Sequence, residues 1–200
     1  MSLFIIATLR GITPAEVPAI ADALIESGIT RLEVPLKAPE ALDSIRLLAR
    51  SRGETAQIGA GGVLSIQEVR AAAKAGANAI LSPNTDTMII TETCKLGLAS
   101  YPGAATPTEC LTAIRAGATA LRLFPASLIG PRGMAAFRPI LPDGVPILAA
   151  GGVAPTEFGE WIDAGASGFC IASTLYRAGD RPEAVRLRAR ILISALENPM

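Results

Sequence analysis

The chain has 200 residues, half of them hydrophobic, with a mean hydropathy of +0.42 and only 4% aromatics, which suits one domain with a core of Ala, Leu, Ile and Val. Eighteen basic and eighteen acidic residues cancel, so the charge balance gives no footing for nucleic acid or a membrane surface, and no apolar run reaches the roughly 18 residues of a membrane span. Histidine is absent, which excludes Ser–His–Asp and Cys–His catalysis and the usual zinc motifs; neither a metal nor a cofactor is expected.

The N-terminal MSLFIIATLRG lacks the charged leader and small-residue cleavage site of a signal peptide. Cys94, Cys110 and Cys170 are widely spaced and form no C-x-x-C, so they read as small buried apolar residues in a reducing cytoplasm. The first strand is FIIATLR (4–10), followed by RLEVPLK (31–37), AQIGAGG (56–62) and AILSPN (79–84). ASYPGA (99–104), ALRLFPA (120–126), PILAAGG (146–152) and GFCIAST (168–174) complete the set, and residues 182–196 read as a closing helix. The strands start every 20 to 27 residues, the length of one βα unit.

Helix starts are marked at Thr13-Pro14, at Thr106-Pro107-Thr108-Glu109 and at Ala154-Pro155-Thr156-Glu157, by caps, an early proline and early carboxylates. Helix ends repeat weakly as ESGITRL (26–32), KAGANAI (74–80), RAGATAL (115–121) and DAGASGF (163–169). Each places a glycine where a helix must stop in the left-handed region before a strand begins. The strands are continuously apolar, so both faces should be covered, as in a parallel sheet. The expected fold is a single-domain (β/α)8 barrel over residues 1–200. A doubly wound open sheet is the alternative, but no G-x-G-x-x-G follows the first strand.

In such a barrel the working groups lie at the C-terminal strand ends. Those ends carry Arg10, Glu33, Lys37, Gly59 to Gly62, Asn84, Pro102 with Gly103, Arg122, Gly151 with Gly152, and Ser173 with Thr174. Gly151 and Gly152 either turn the chain or offer amides to an anion; with Ser173 and Thr174 at the next strand end, a phosphate site is the reading. Glu33 and Arg122 each lie mid-strand in apolar surroundings, where a lone buried charge would cost several kcal/mol, so pairing across the mouth is expected. A pair that only holds register is the rival to a pair in which Glu33 moves protons and Arg122 faces an anion. Lys37 shares parity with Glu33 on an extended strand, about 13 Å further on at ~3.3 Å per residue, toward the rim.

LRGITP, LEVPLKAP, IGAGGVL, SPN, YPGAATPTE, LRLFPAS, GGVAP, WIDAGASG and LYRAG occur in this order from about residue 5 to 195. As a set they resemble the 2-keto-3-deoxy-6-phosphogluconate / 6-phosphogalactonate aldolase family, the second branch more closely. The resemblance implies a small, commonly trimeric (β/α)8 class I aldolase that splits a phosphorylated 2-keto-3-deoxy sugar acid into pyruvate and glyceraldehyde 3-phosphate. It implies that Glu33 moves protons through water and that Arg10 and Lys37 contact substrate carboxylate or phosphate. Pro102 and Gly103 would line the pyruvate pocket, and Gly151, Gly152 and Ser173 would hold the phosphate.

Three positions depart from the family pattern. Arg122 occupies the strand-6 place of the Schiff-base lysine, Gly62 that of a threonine near the pyruvate carboxylate, and Ala172 that of a glycine. A guanidinium stays protonated and is no amine nucleophile. Three roles for Arg122 follow: a replacement that keeps binding and loses turnover, an enolate-stabilising cation beside Glu33, or a bystander to Lys37 acting as the amine. A barrel that only senses a phosphorylated sugar acid, and a phosphate-binding isomerase or epimerase, are the remaining readings.

Overall fold

The computed structural model describes residues 3–199; Met1, Ser2 and Met200 lie outside them. Eight strands, β1 (Phe4–Thr8), β2 (Arg31–Pro35), β3 (Gln57–Gly61), β4 (Ala79–Ser82), β5 (Ala99–Ala104), β6 (Leu121–Leu123), β7 (Ile147–Ala150) and β8 (Gly168–Ile171), pair in chain order. Every pair is parallel, and β8 closes on β1. The open-sheet alternative is thereby excluded.

The crossovers are α1 (Val17–Ile25), α2 (Ala41–Arg52), α3 (Ile66–Ala75), α4 (Thr87–Lys95), α5 (Pro107–Arg115), α6 (Ala126–Phe137, broken at Gly130), α7 (Phe158–Asp163) and α8 (Pro182–Glu197). Single 3-10 turns follow α6 at Arg138–Ile140 and precede α7 at Pro155–Glu157.

Local chemistry sets most boundaries. The Ser65 and Thr106 hydroxyls accept from the Glu68 and Glu109 amides, and those two carboxylates reach back to the Leu64 and Ala105 amides. The four glycines of the helix-end repeat, Gly28, Gly76, Gly117 and Gly165, have φ between 92° and 102°, the left-handed turn expected of them.

The strands are shorter than the apolar runs suggest. Arg10, Lys37, Asn84, Gly152, Ser173 and Thr174 all sit in loops, because pairing stops where the barrel mouth opens. Helix α1 begins at Val17, three residues after Pro14. Thr13 instead donates its amide and hydroxyl to the Glu16 carboxylate, which also accepts the Gly179 amide at 3.0 Å. That clamp ties the β1–α1 loop to the β8–α8 loop, and the Thr13 hydroxyl holds the Glu16 carboxyl below its ordinary value.

Alternation divides the core in two. Ile6, Leu81, Tyr101, Leu148, Ala150 and Cys170 form one cluster inside the barrel. The alternate strand residues, such as Leu32, Val34, Ile58 and Phe169, join Ile20, Ile45, Val69 and Leu192 of the helices in the other. Toward the N-terminal end, Arg31 stacks 3.4 Å over the Phe4 ring and Tyr101 donates to Gln57. The open end is the C-terminal one.

Candidate active site

A cavity of about 510 Å³ occupies the C-terminal mouth, within the range that holds a small metabolite. Its lining brings together Arg10, Glu33, Lys37, Gly62, Arg122, Gly151, Gly152, Ser173 and Thr174 from seven separate strand ends and loops. Pro102 and Gly103 are not among the lining residues. A Cβ at Gly103 would collide with the Pro83 carbonyl, so the β4–α4 loop lies over this stretch and Pro83 lines the cavity in its place. Gly103 pairs with Arg122 in the strand register, so this stretch borders the floor from behind Pro83.

The floor is a buried ion pair. Glu33 on β2 and Arg122 on β6 reach toward each other across the barrel, with Oε1 and Nη1 3.7 Å apart and side chains only 5% and 8% exposed. The register puts Thr8 beside Glu33, and the Thr8 hydroxyl donates to Oε2 at 2.5 Å. The Glu33 carboxylate lies over Gly61, where any Cβ would overlap Oε1. Arg122 donates through Nη2 to the Ser82 carbonyl at 3.3 Å and has its Cζ 5.9 Å from the Phe124 ring centre. Its Nε is buried and has no partner.

Cys170 completes the floor. Burial pushes its thiol up to about 12, against the opposing pull of the Arg122 charge, so it stays protonated at neutral pH and is no nucleophile. Thr8 and Cys170 carry no signal in the sequence, because a hydroxyl and a cysteine in a strand look like packing, whereas Gly61 falls within the glycine run 59–62 expected at the mouth. The register that sets Thr8 opposite Glu33, and the barrel closure that turns Cys170 toward the cavity, reveal their parts.

Lys37 lines the mouth as an exposed turn residue, not as a strand residue aligned with Glu33. Pro35 has no N–H to extend the ladder, and the Ala38 amide turns back to its carbonyl at 2.9 Å. The strand-parity reasoning for Lys37 therefore fails. On the opposite rim, Gly151 and Gly152 have φ of 86° and 82°. A side chain at either would press on Phe124 or Ser127, so glycine is required for the close approach as well as the turn. Ser173 and Thr174 are exposed beside them.

Carboxylate and cation on the floor, with glycine turns and hydroxyls on the rim, make the closed barrel an enzyme scaffold for a small anionic ligand. A family model described as KDPG and KHG aldolase matches residues 2–185. The 2-dehydro-3-deoxy-6-phosphogalactonate aldolase of Escherichia coli (strain K12) is 40% identical over 191 residues, 96% of this chain and 93% of that protein. A solved "Native KDPGal structure" superposes with a TM-score of 0.96 at 39% identity, covering 99% of this chain and 96% of that one. A cube-shaped cage designed by fusing symmetric oligomeric domains also reaches 0.96 at 39% identity, over 99% of this chain and 73% of that one. The chain belongs to the KDPG and KHG aldolase family, whose members are carbon–carbon lyases.

Proposed function

We propose that this protein is a lyase for a phosphorylated 2-keto-3-deoxy sugar acid of the 6-phosphogalactonate type, releasing pyruvate and glyceraldehyde 3-phosphate. The observation that carries the reading is the buried Glu33–Arg122 pair on the cavity floor. The keto-acid end would lie there, and the phosphate would meet Gly151, Gly152, Ser173 and Thr174 on the rim. Arg10 and Lys37 add positive charge at the mouth for a polyanionic substrate. Gly62 leaves the adjoining wall open.

Arg122 stands, in this proposal, where the family's Schiff-base lysine would be. Cleavage then runs through an enolate. Glu33 takes the C4 hydroxyl proton and the O–H pair forms the aldehyde carbonyl as the C3–C4 bond breaks. That bond's pair forms the C2=C3 bond, the carbonyl pair moves to the keto oxygen beside the guanidinium, and return of the proton from Glu33 to C3 gives pyruvate.

A second reading, a barrel that binds the acid without cleaving it, is favoured by one observation: no lysine belongs to the floor. Pyruvate release from 2-dehydro-3-deoxy-6-phosphogalactonate, alongside calorimetric binding, separates the two. Release faster from this isomer than from the gluconate isomer supports the lyase. Binding without release supports the second reading, and absence of binding overturns both.

The proposal includes a homotrimer working in the cytoplasm. Leu128 and Met88 are 83% and 65% exposed, and a cage built from symmetric oligomeric domains shares the fold. Sedimentation should give three chains per particle; a monomer at micromolar concentration would count against it.

A further inference from the structure

We infer that the Glu33–Arg122 pair enolises free 2-keto acids with no covalent intermediate, exchanging the C3 protons of an acid as small as pyruvate. This activity rests on the reading of the cavity as a 2-keto acid site, but needs neither the phosphate nor the aldehyde half of a sugar acid.

The floor offers no amine. The chain has three lysines: Lys74 and Lys95 end α3 and α4, and Lys37 is exposed in the turn at the mouth. What the floor does offer is a cation with donors to spare. Arg122 is 8% exposed in its side chain, and a guanidinium carries five N–H groups in a fixed fork. Nη2 makes one hydrogen bond, at 3.3 Å. Nη1 stands 3.7 Å from Glu33, beyond hydrogen-bond length, and Nε has no partner.

Buried donors left unpaired are costly, and an oxyanion in the cavity that Arg122 lines would satisfy them. An enolate oxygen does so better than a neutral ketone, since the attraction grows as charge develops. That difference is what lowers a barrier.

The base is equally prepared. Thr8 fixes Oε2 of Glu33, Gly61 leaves room for the carboxylate, and Cys170 keeps its proton. In the step, Glu33 takes a C3 proton and the C–H pair forms the C2=C3 bond. The carbonyl pair moves to oxygen against Arg122. Return of a solvent-exchanged proton from Glu33 to C3 restores the keto acid, so nothing is oxidised or reduced and no co-reactant is used.

The test follows the pyruvate methyl signal by NMR in D2O and amine-free buffer, with a parallel borohydride quench weighed by mass spectrometry. Exchange above buffer, inhibition by oxalate as a planar enolate mimic, and an unchanged protein mass are expected. Glu33→Gln should slow exchange by about 10²–10⁴-fold. Arg122→Lys should make borohydride trap a pyruvate adduct at that position. If this variant does not fold, exchange by the unaltered chain still decides.

A trapped adduct on Lys37 of the unaltered chain would overturn the inference, as would absence of exchange while pyruvate or oxalate binds. Should neither ligand bind, the inference falls together with the keto-acid reading. Exchange without sugar-acid cleavage would overturn only the proposed substrate, and cleavage without exchange only this inference.

Discussion

Arg122→Met is expected to lower the melting temperature by about 6–12 °C at neutral pH, and Arg122→Met with Glu33→Leu to recover most of that loss. The single change strands a carboxylate whose side chain is 5% exposed. Removing one partner of a buried pair typically costs about 3–5 kcal/mol. The lower end applies here, because both groups line a cavity open to water. A domain of this size shifts by about 2–4 °C per kcal/mol. Replacing both partners removes the unpaired charge and leaves hydrocarbon against Leu81, Leu148 and Ala150 of the inner cluster. Thermal unfolding followed by circular dichroism measures all of this. A single variant that melts within about 2 °C of the parent would mean that water already screens the pair. The desolvated cation on which the enolate chemistry depends would then be absent.

Gly61→Ala is expected to remove about 10²–10⁴-fold of the pyruvate exchange rate while leaving the fold intact, the same loss as Glu33→Gln. Gly61 pairs with Pro35 at the C-terminal end of β3, and its φ is not positive, so alanine suits the backbone. Its Cβ, however, would overlap Glu33 Oε1 and sit 2.6 Å from the carboxyl carbon. The flexible glutamate gives way sooner than the sheet does. It leaves the Thr8 hydroxyl, and the base is no longer aimed at the space beside Arg122. Combining Gly61→Ala with Glu33→Gln should cost little more than either alone, because both remove the same function. Retained exchange in Gly61→Ala would show that the proton is carried by some group other than Glu33.

Much of the architecture was legible because it is written in local chemistry. Glycines at regular helix ends, a cap such as Thr106, and apolar runs of strand length are each decided within a few residues. Their repetition at βα spacing then leaves barrel closure as the simplest burial of both strand faces. Glu33 and Arg122 stood out for a similar reason: a charge inside an apolar strand has few ways to avoid a large desolvation cost.

What stayed hidden depends on residues far apart in sequence. Thr8 meets Glu33 across 25 positions, and Arg122 meets Ser82 across 40. Neither contact leaves a mark on the sequence around it. The same holds for the loops at the mouth. Lys37 leaves the strand in the turn that the Ala38 amide closes on the Pro35 carbonyl, and Gly103 lies against Pro83 of a neighbouring loop.

By itself, then, the sequence determined the elements, the order in which they pair and the two charges that had to find each other. The tertiary structure alone decided which neighbours hold those charges and which loops cover or open the mouth. Short-range propensities specify each unit separately, whereas strand register and closure set the distances between side chains from different units.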